Sequence, residues 1–159
     1  MNKGTQGYVR KSKPEDCRAI ADNMRKADIA EIKAGPNWSP IQAMVAGYIH
    51  SKPPYTVIKN PEIPVAMWGI VPELDSVLNR GRIWLLGTPA IKDVRVQFLR
   101  ECSDWIREAT EGYDIVYNMI DKRNKLHIRW LKWLGFSFVR EIPKHGYEQR
   151  PFLEFVRII

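Results

Sequence analysis

The residues able to carry chemistry are few. Three histidines, His50, His127 and His145, and two cysteines, Cys17 and Cys102, show no metal-ligand spacing, and no nucleophile elbow, P-loop or dinucleotide glycine pattern occurs. That leaves proton transfer and charge. His127, with an ordinary pKa of about 6.5, is the best titratable group on its helix, although a histidine on an apolar stripe also serves as a hydrogen-bonded core residue. Glu73 and Asp75 lie in a polar loop before a strongly apolar strand pattern, where an exposed carboxylate needs no special role. The net charge of +7 is unevenly placed: residues 1–121 hold 16 basic against 15 acidic side chains, whereas Lys122 to Arg150 hold eight basic side chains against Glu141 and Glu148. Such a region could meet a phosphate-bearing ligand, nucleic acid or an acidic protein, or simply be a solvated face.

Elements of regular spacing must position these groups. From Asp121 to Phe136 the sequence predicts a short helix capped by Asp121 or Asn124 and stopped by Gly135, with His127, Trp130, Leu131 and Leu134 as its buried stripe. Upstream, Ser12-Lys13-Pro14-Glu15 predicts a capping box, and Cys17, Ile20, Met24 and Ala27 one helix lasting to Ala34. Ser39-Pro40 starts another, with Ile41, Met44, Val45, Tyr48 and Ile49 buried. Tyr8–Lys11, Tyr55–Lys59, Ile63–Val71, Arg82–Leu86, Asp114–Ile120, Phe136–Ile142 and Phe152–Ile158 read as strands, and Ile91 to Ala109 as the longest helix. A mixed α/β sheet with helices on both faces accommodates this order in one domain, 1–159. The cysteines read as reduced core residues. The polar first twenty residues and the lack of a run of roughly 18 apolar residues predict a cytoplasmic protein without membrane contact.

The order of elements, Tyr8-Val9-Arg10 leading to Pro14-Glu15-Asp16, and Asn124 followed by Gly135-Phe136 together resemble the GNAT superfamily of acyl-CoA-dependent N-acyltransferases. The wording Asn124, His127-Ile128-Arg129-Trp130-Leu131-Lys132, Gly135 is similar to GNAT-like proteins of short-tailed bacteriophages, including a small protein of virion assembly and the internal core. The wider resemblance implies acetyl-CoA as cofactor, an amine-bearing small molecule or protein as acceptor, and N-acyl transfer. The narrower one implies a catalytically silent protein binding a phage virion or host protein, placed in the host cytoplasm or the virion. Nucleic-acid binding through Lys125, Arg129, Lys132 and Arg140 is a weaker third reading, because the aromatics suit a core better than a stacking platform.

The acyl-CoA reading implies edge groups at Leu86, Gly87 and Thr88 for a pantetheine arm, a phosphate loop containing Lys92, Val94 and Arg95, and Asn124 on a cofactor amide. No metal is implied. Two departures are visible. Asp93 and Arg95 stand where the family pattern has glycines that let the backbone approach a pyrophosphate. Leu131 stands seven residues after Asn124, where the family has its general-acid tyrosine, which leaves His127 as substitute acid. The base falls to Glu73, with Asp75 and His50 as alternatives.

Overall fold

The computed structural model describes residues 7–74 and 77–159, so Asp75 lies outside the described residues. Strands β1 (Gly7–Lys11), β2 (Tyr55–Lys59), β3 (Ile63–Pro72), β4 (Arg80–Gly87), β5 (Ile115–Asp121), β6 (Ser137–His145) and β7 (Arg150–Ile158) form one sheet in the order β1-β2-β3-β4-β5-β7-β6. Every neighbouring pair is antiparallel except β4 and β5. That parallel ladder holds at three positions only, Arg80 to Arg82 against Ile115 to Tyr117, after which the two strands part.

Helices α1 (Pro14–Ala21), α2 (Lys26–Ala34) and α3 (Pro40–His50) cover one face, and α4 (Ile91–Ala109) and α5 (Lys125–Trp133) the other. On the α4/α5 face, Phe98 stacks on Trp130 with ring centroids 5.8 Å apart, and Ile106, Val116 and Trp68 complete a continuous core. On the other face Cys17, Ile20, Met44, Met67 and Leu86 pack together. Both cysteines are buried free thiols, as their spacing on apolar stripes predicts, and burial pushes the Cys102 thiol up to about 11.

Local differences from the expected elements have tertiary causes. The single helix expected from Cys17 to Ala27 is broken between Ala21 and Lys26 because the Arg25 N–H leaves helical pairing and donates to the Gly87 carbonyl at 2.8 Å. The capping box shifts by one residue. Asp16, not Glu15, accepts the Lys13 N–H at 2.8 Å, because two bonds from Arg10 on β1 and one from Thr56 hold its carboxylate against the sheet. On α3 the expected face turns: Val45 and Ile49 are exposed and Ala43 and Met44 buried. Gly47 decides this, since a Cβ there would lie 2.4 Å from the Trp84 ring. Only a glycine lets α3 approach the sheet so closely.

The turn between β6 and β7 closes on α2. Tyr147 and Glu148 donate their N–H groups to the carbonyls of Gly35 and Ala34, satisfying the end of that helix. Gly146 carries φ +71°, and a Cβ there would lie 2.6 Å from the Gly35 Cα. Gly146→Ala is therefore expected to cost about 2–4 kcal/mol, from left-handed strain plus a backbone clash. Urea unfolding measures it, and a loss below half a kcal/mol would contradict the docking of this turn on α2.

Candidate ligand cleft

Where β4 and β5 part, a cavity of about 760 Å³ runs through the sheet, between Leu85, Asn118, Trp130 and Leu131 on one side and Glu31 and Trp38 on the other. Antiparallel pairing sets which backbone groups face it. Thr88 N–H donates to Val65 O at 2.8 Å, so by alternation along β4 the main-chain groups of Leu86 face β3 and those of Ile83, Leu85 and Gly87 face the gap. The Asn118 amide confirms the alternation by donating to Ile83 O at 2.9 Å. Of the three expected edge residues, Gly87 alone turns both its groups to the gap: Leu86 pairs towards β3, and the Thr88 N–H and hydroxyl both donate to Val65 O.

Gly87 is already bonded by α2. Its carbonyl accepts the Arg25 N–H, and its N–H donates to Asp28 Oδ2 at 2.9 Å. Asp28 is fully buried, and its other oxygen accepts from Arg25 Nη1 at 2.9 Å and from the Asn124 amide at 3.0 Å. Arg25 Nη1 also lies 3.0 Å from His127 Nε2. Because a guanidinium can only donate, Nε2 is the acceptor, and the ring proton sits on Nδ1, 3.5 Å from Asp28. Burial, opposed by Asp28 and assisted by Arg25, holds the His127 imidazolium below its usual range. His127 thus sits on the cavity wall as a neutral ring, with Nε2 held by Arg25 and Nδ1 beside Asp28 and the Asn124 amide nitrogen, 3.3 Å away.

Asn124 opens α5, as predicted, but makes no side-chain cap; Asp121 supplies the local bond by accepting the Arg123 N–H at 2.9 Å. The Asn124 amide turns instead to Asp28 and, at 3.3 Å, to Glu31, and its buried Oδ1 has no partner among the described residues. The helix ends as its sequence predicts. Gly135 takes φ +85°, Phe136 N–H returns to Leu131 O and Gly135 N–H to Lys132 O, the paired bonds of a Schellman end.

Glu31 is the group that sequence reading missed. It lines the cavity, accepts the Asp121 N–H at 3.0 Å, and is pushed up to about 8 by burial first and the nearby Asp28 carboxylate second, against the pull of its two N–H donors. The available signal was Arg25-x-x-Asp28-x-x-Glu31, three charges on one helix face. Glu73, the expected base, sits at the other end of β5 from this cluster, hydrogen-bonded by the Tyr117 hydroxyl and 3.3 Å from Arg80. Tyr117 and Asp121 are four strand residues apart, on the order of 13 Å. Glu73 and His127 therefore do not form one acid–base pair, whereas His50 does reach the cavity wall.

The phosphate end fares no better. Ala90 precedes α4 in helical conformation, and the N–H groups of Ile91, Lys92 and Asp93 donate to Thr88, Pro89 and Ala90. A first turn closed on itself offers no row of free donors to an anion. Asp93 forms an ion pair with Lys59 at 2.8 Å, Val94 is core, and Lys92 and Arg95 are exposed. The Gly87 edge, the Asn124 amide and the first turn of α4 are thus bonded within the protein, and on this stretch of β4 the main-chain groups of Leu85, beyond the last β4–β5 pair, are the ones left facing the gap. No group of His, Cys, Asp and Glu able to hold a metal occurs among the described residues, and no described helix is long and apolar enough to cross a membrane.

No protein-family model matches the chain, and no curated protein is similar to it in sequence. Solved structures nevertheless share its fold. An N-acetyltransferase from Staphylococcus aureus Mu50 superposes with a TM-score of 0.70 at 16% identity, over 97% of this chain and 99% of the other. A GCN5-related N-acetyltransferase from Kribbella flavida gives 0.70 at 15%, over 96% and 98%. The spermidine N-acetyltransferase from Vibrio cholerae, solved with CoA and spermine, gives 0.66 at 11%, over 96% and 95%. The fold is that of the GNAT acyl-CoA N-acyltransferases, as the order of elements and the Asn124 to Phe136 stretch imply.

Proposed function

We propose that the protein is a catalytically silent GNAT-fold protein that works by binding another protein, in the manner of the virion-assembly proteins of short-tailed phages. The first turn of α4 carries this reading: where an acyl-CoA enzyme needs free N–H donors, Ile91, Lys92 and Asp93 are bonded internally and Asp93 adds a carboxylate. Leu131, buried where a proton donor would stand, supports it. So does the sequence from Asn124 to Gly135, which resembles those phage proteins. A surface for the partner is available on α3. From Trp38 to Ile49 the chain has no charged residue, yet Trp38, Val45 and Ile49 are exposed. An uncharged apolar helix face of this kind marks an interaction site.

Calorimetry with acetyl-CoA and with CoA tests the proposal. No heat at millimolar ligand is expected, and saturable binding with a Kd below about 0.1 mM would overturn it. In a phage source the protein is expected in particles or assembly intermediates; absence from both would equally count against it. Val45→Glu with Ile49→Glu is expected to lower that association at least about tenfold while leaving the melting temperature within a few degrees, since both side chains are solvent-facing.

A second reading, N-acyl transfer to an amine from acetyl-CoA, is favoured by Glu31. A carboxyl titrating at about 8 on the wall of a cavity keeps its proton at neutral pH and becomes a base able to take one from an amine as pH rises towards 8. Under this reading Asp93→Gly tightens acetyl-CoA binding by removing charge and bulk, and an unchanged affinity argues against a phosphate site at α4.

A further inference from the structure

We infer that the N-terminus of α2 is a built-in occupant of the gap between β4 and β5, supplying Gly87 with the hydrogen bonds that an extended ligand would otherwise make. This rests on the reading of the cleft as closed to acyl-CoA and names what closes it. A strand edge that has lost its neighbour needs partners for its N–H and C=O, and an extended molecule lying along it gives one donor and one acceptor per exposed residue. At Gly87 both are present within the chain. The Arg25 N–H is the donor at 2.8 Å and the Asp28 carboxylate the acceptor at 2.9 Å.

The arrangement is built rather than incidental. Leaving helical geometry between Ala21 and Lys26 is what frees the Arg25 N–H to reach β4. Asp28 is fully buried without being an isolated charge, because Arg25 Nη1, the Gly87 N–H and the Asn124 amide all donate to it. Those donors come from α2, β4 and α5, so one carboxylate ties together the three elements that would have to separate around a ligand in the gap. The far end of α2 is held as well, by the Tyr147 and Glu148 N–H groups on the carbonyls of Gly35 and Ala34. A helix fixed at both ends cannot leave Gly87 by local fraying. The cavity beyond it keeps Glu31, one turn further along the same helix, as its wall. A molecule reaching Glu31 therefore enters a space that α2 shapes, without displacing the Arg25–Asp28 contact.

Amide hydrogen exchange of the full chain, read residue by residue by NMR with and without millimolar CoA, tests this. In the wild-type protein the Gly87 amide is expected to be protected within about tenfold of the β3-paired Thr88 amide. Asp28→Ala is expected to speed Gly87 exchange at least about 100-fold relative to Thr88, and Asp28→Asn, which keeps an acceptor oxygen, to retain most of the protection. Arg25→Pro is a second probe that suits the φ of −58° at this position and removes the donor to Gly87 O. Because it also takes the guanidinium from Asp28, it is expected to speed exchange at Gly87 without unfolding the sheet. Free exchange of Gly87 in the wild-type protein overturns the inference while leaving the absence of acyl-CoA binding untouched. Unchanged Gly87 protection in Asp28→Ala likewise overturns it. If CoA instead deprotects Arg25 and protects Gly87, α2 is confirmed as the occupant and the catalytically silent reading fails.

Discussion

Glu31→Gln is expected to stabilise the protein by on the order of 2–4 kcal/mol at pH 9 and to leave stability at pH 4 nearly unchanged. The folded-state value of about 8, against an ordinary 4.5, means that the native state holds a proton which the unfolded chain releases between those values. Wild-type stability is therefore fully present below about pH 4.5 and falls as pH rises towards 8. The whole shift corresponds to roughly 4–5 kcal/mol, reduced here because the carboxyl keeps partial access to solvent through the cavity. Glutamine keeps an oxygen for the Asp121 N–H and cannot ionise, so the alkaline fall disappears. His127 acts oppositely. Its folded-state value is depressed, so its contribution is present above about pH 6.5 and lost as pH falls through the depressed value, which partly offsets the Glu31 slope in the acid range. Urea melts at half-unit steps from pH 4 to 9.5 separate the two. Parallel wild-type and Glu31→Gln curves would show that Glu31 ionises normally.

Asp28→Ala is expected to be among the most damaging single changes, at about 3–5 kcal/mol. It leaves the Arg25 guanidinium without its buried counter-charge and strips the acceptor from the Gly87 N–H and the Asn124 amide. With about 2–4 °C lost per kcal/mol in a chain of this size, the melting temperature falls by roughly 6–20 °C. Asp28→Asn removes the charge and keeps one acceptor, so its loss is expected to be about half as large. Equal losses in the two variants would show that charge outweighs hydrogen bonding here. A loss below 1 kcal/mol in Asp28→Ala would mean that the cluster does not hold α2 to β4.

Sequence reading succeeded where the cause was local. The repeat from Ile91 to Ala109, the Gly135 stop and the strand patterns each follow from residues within one element, and the elements appear at those places. It failed where the partner lies far along the chain. Asp28 and Glu31 look like ordinary solvated helix charges until Gly87 and Asn124, 59 and 93 residues away respectively, come to meet them. The apolar sequence through Cys17, Ile20, Met24 and Ala27 gave no sign of a break, because the break is imposed by a bond to Gly87. Val45 and Ile49 fit a helical stripe as well as Met44 does. Which stripe is buried was decided by the Trp84 ring against Gly47. Glu73 reads as an ordinary loop carboxylate, but the Tyr117 hydroxyl that engages it is 44 residues away.

The short β4–β5 ladder also gives the molecule a line of mechanical weakness. Seven residue pairs join β3 to β4 and seven join β5 to β7, but only three join β4 to β5. Under tension across the sheet, that seam parts first, into a four-stranded and a three-stranded half. Helix α2 spans it like a strut, with its first residues on Gly87 of one half and its last carbonyls on the β6–β7 turn of the other. Load applied across the seam is thus shared between the bonds at the two ends of this nine-residue helix and those that Asn118 makes to Ile83 and Asp114 to Asn79.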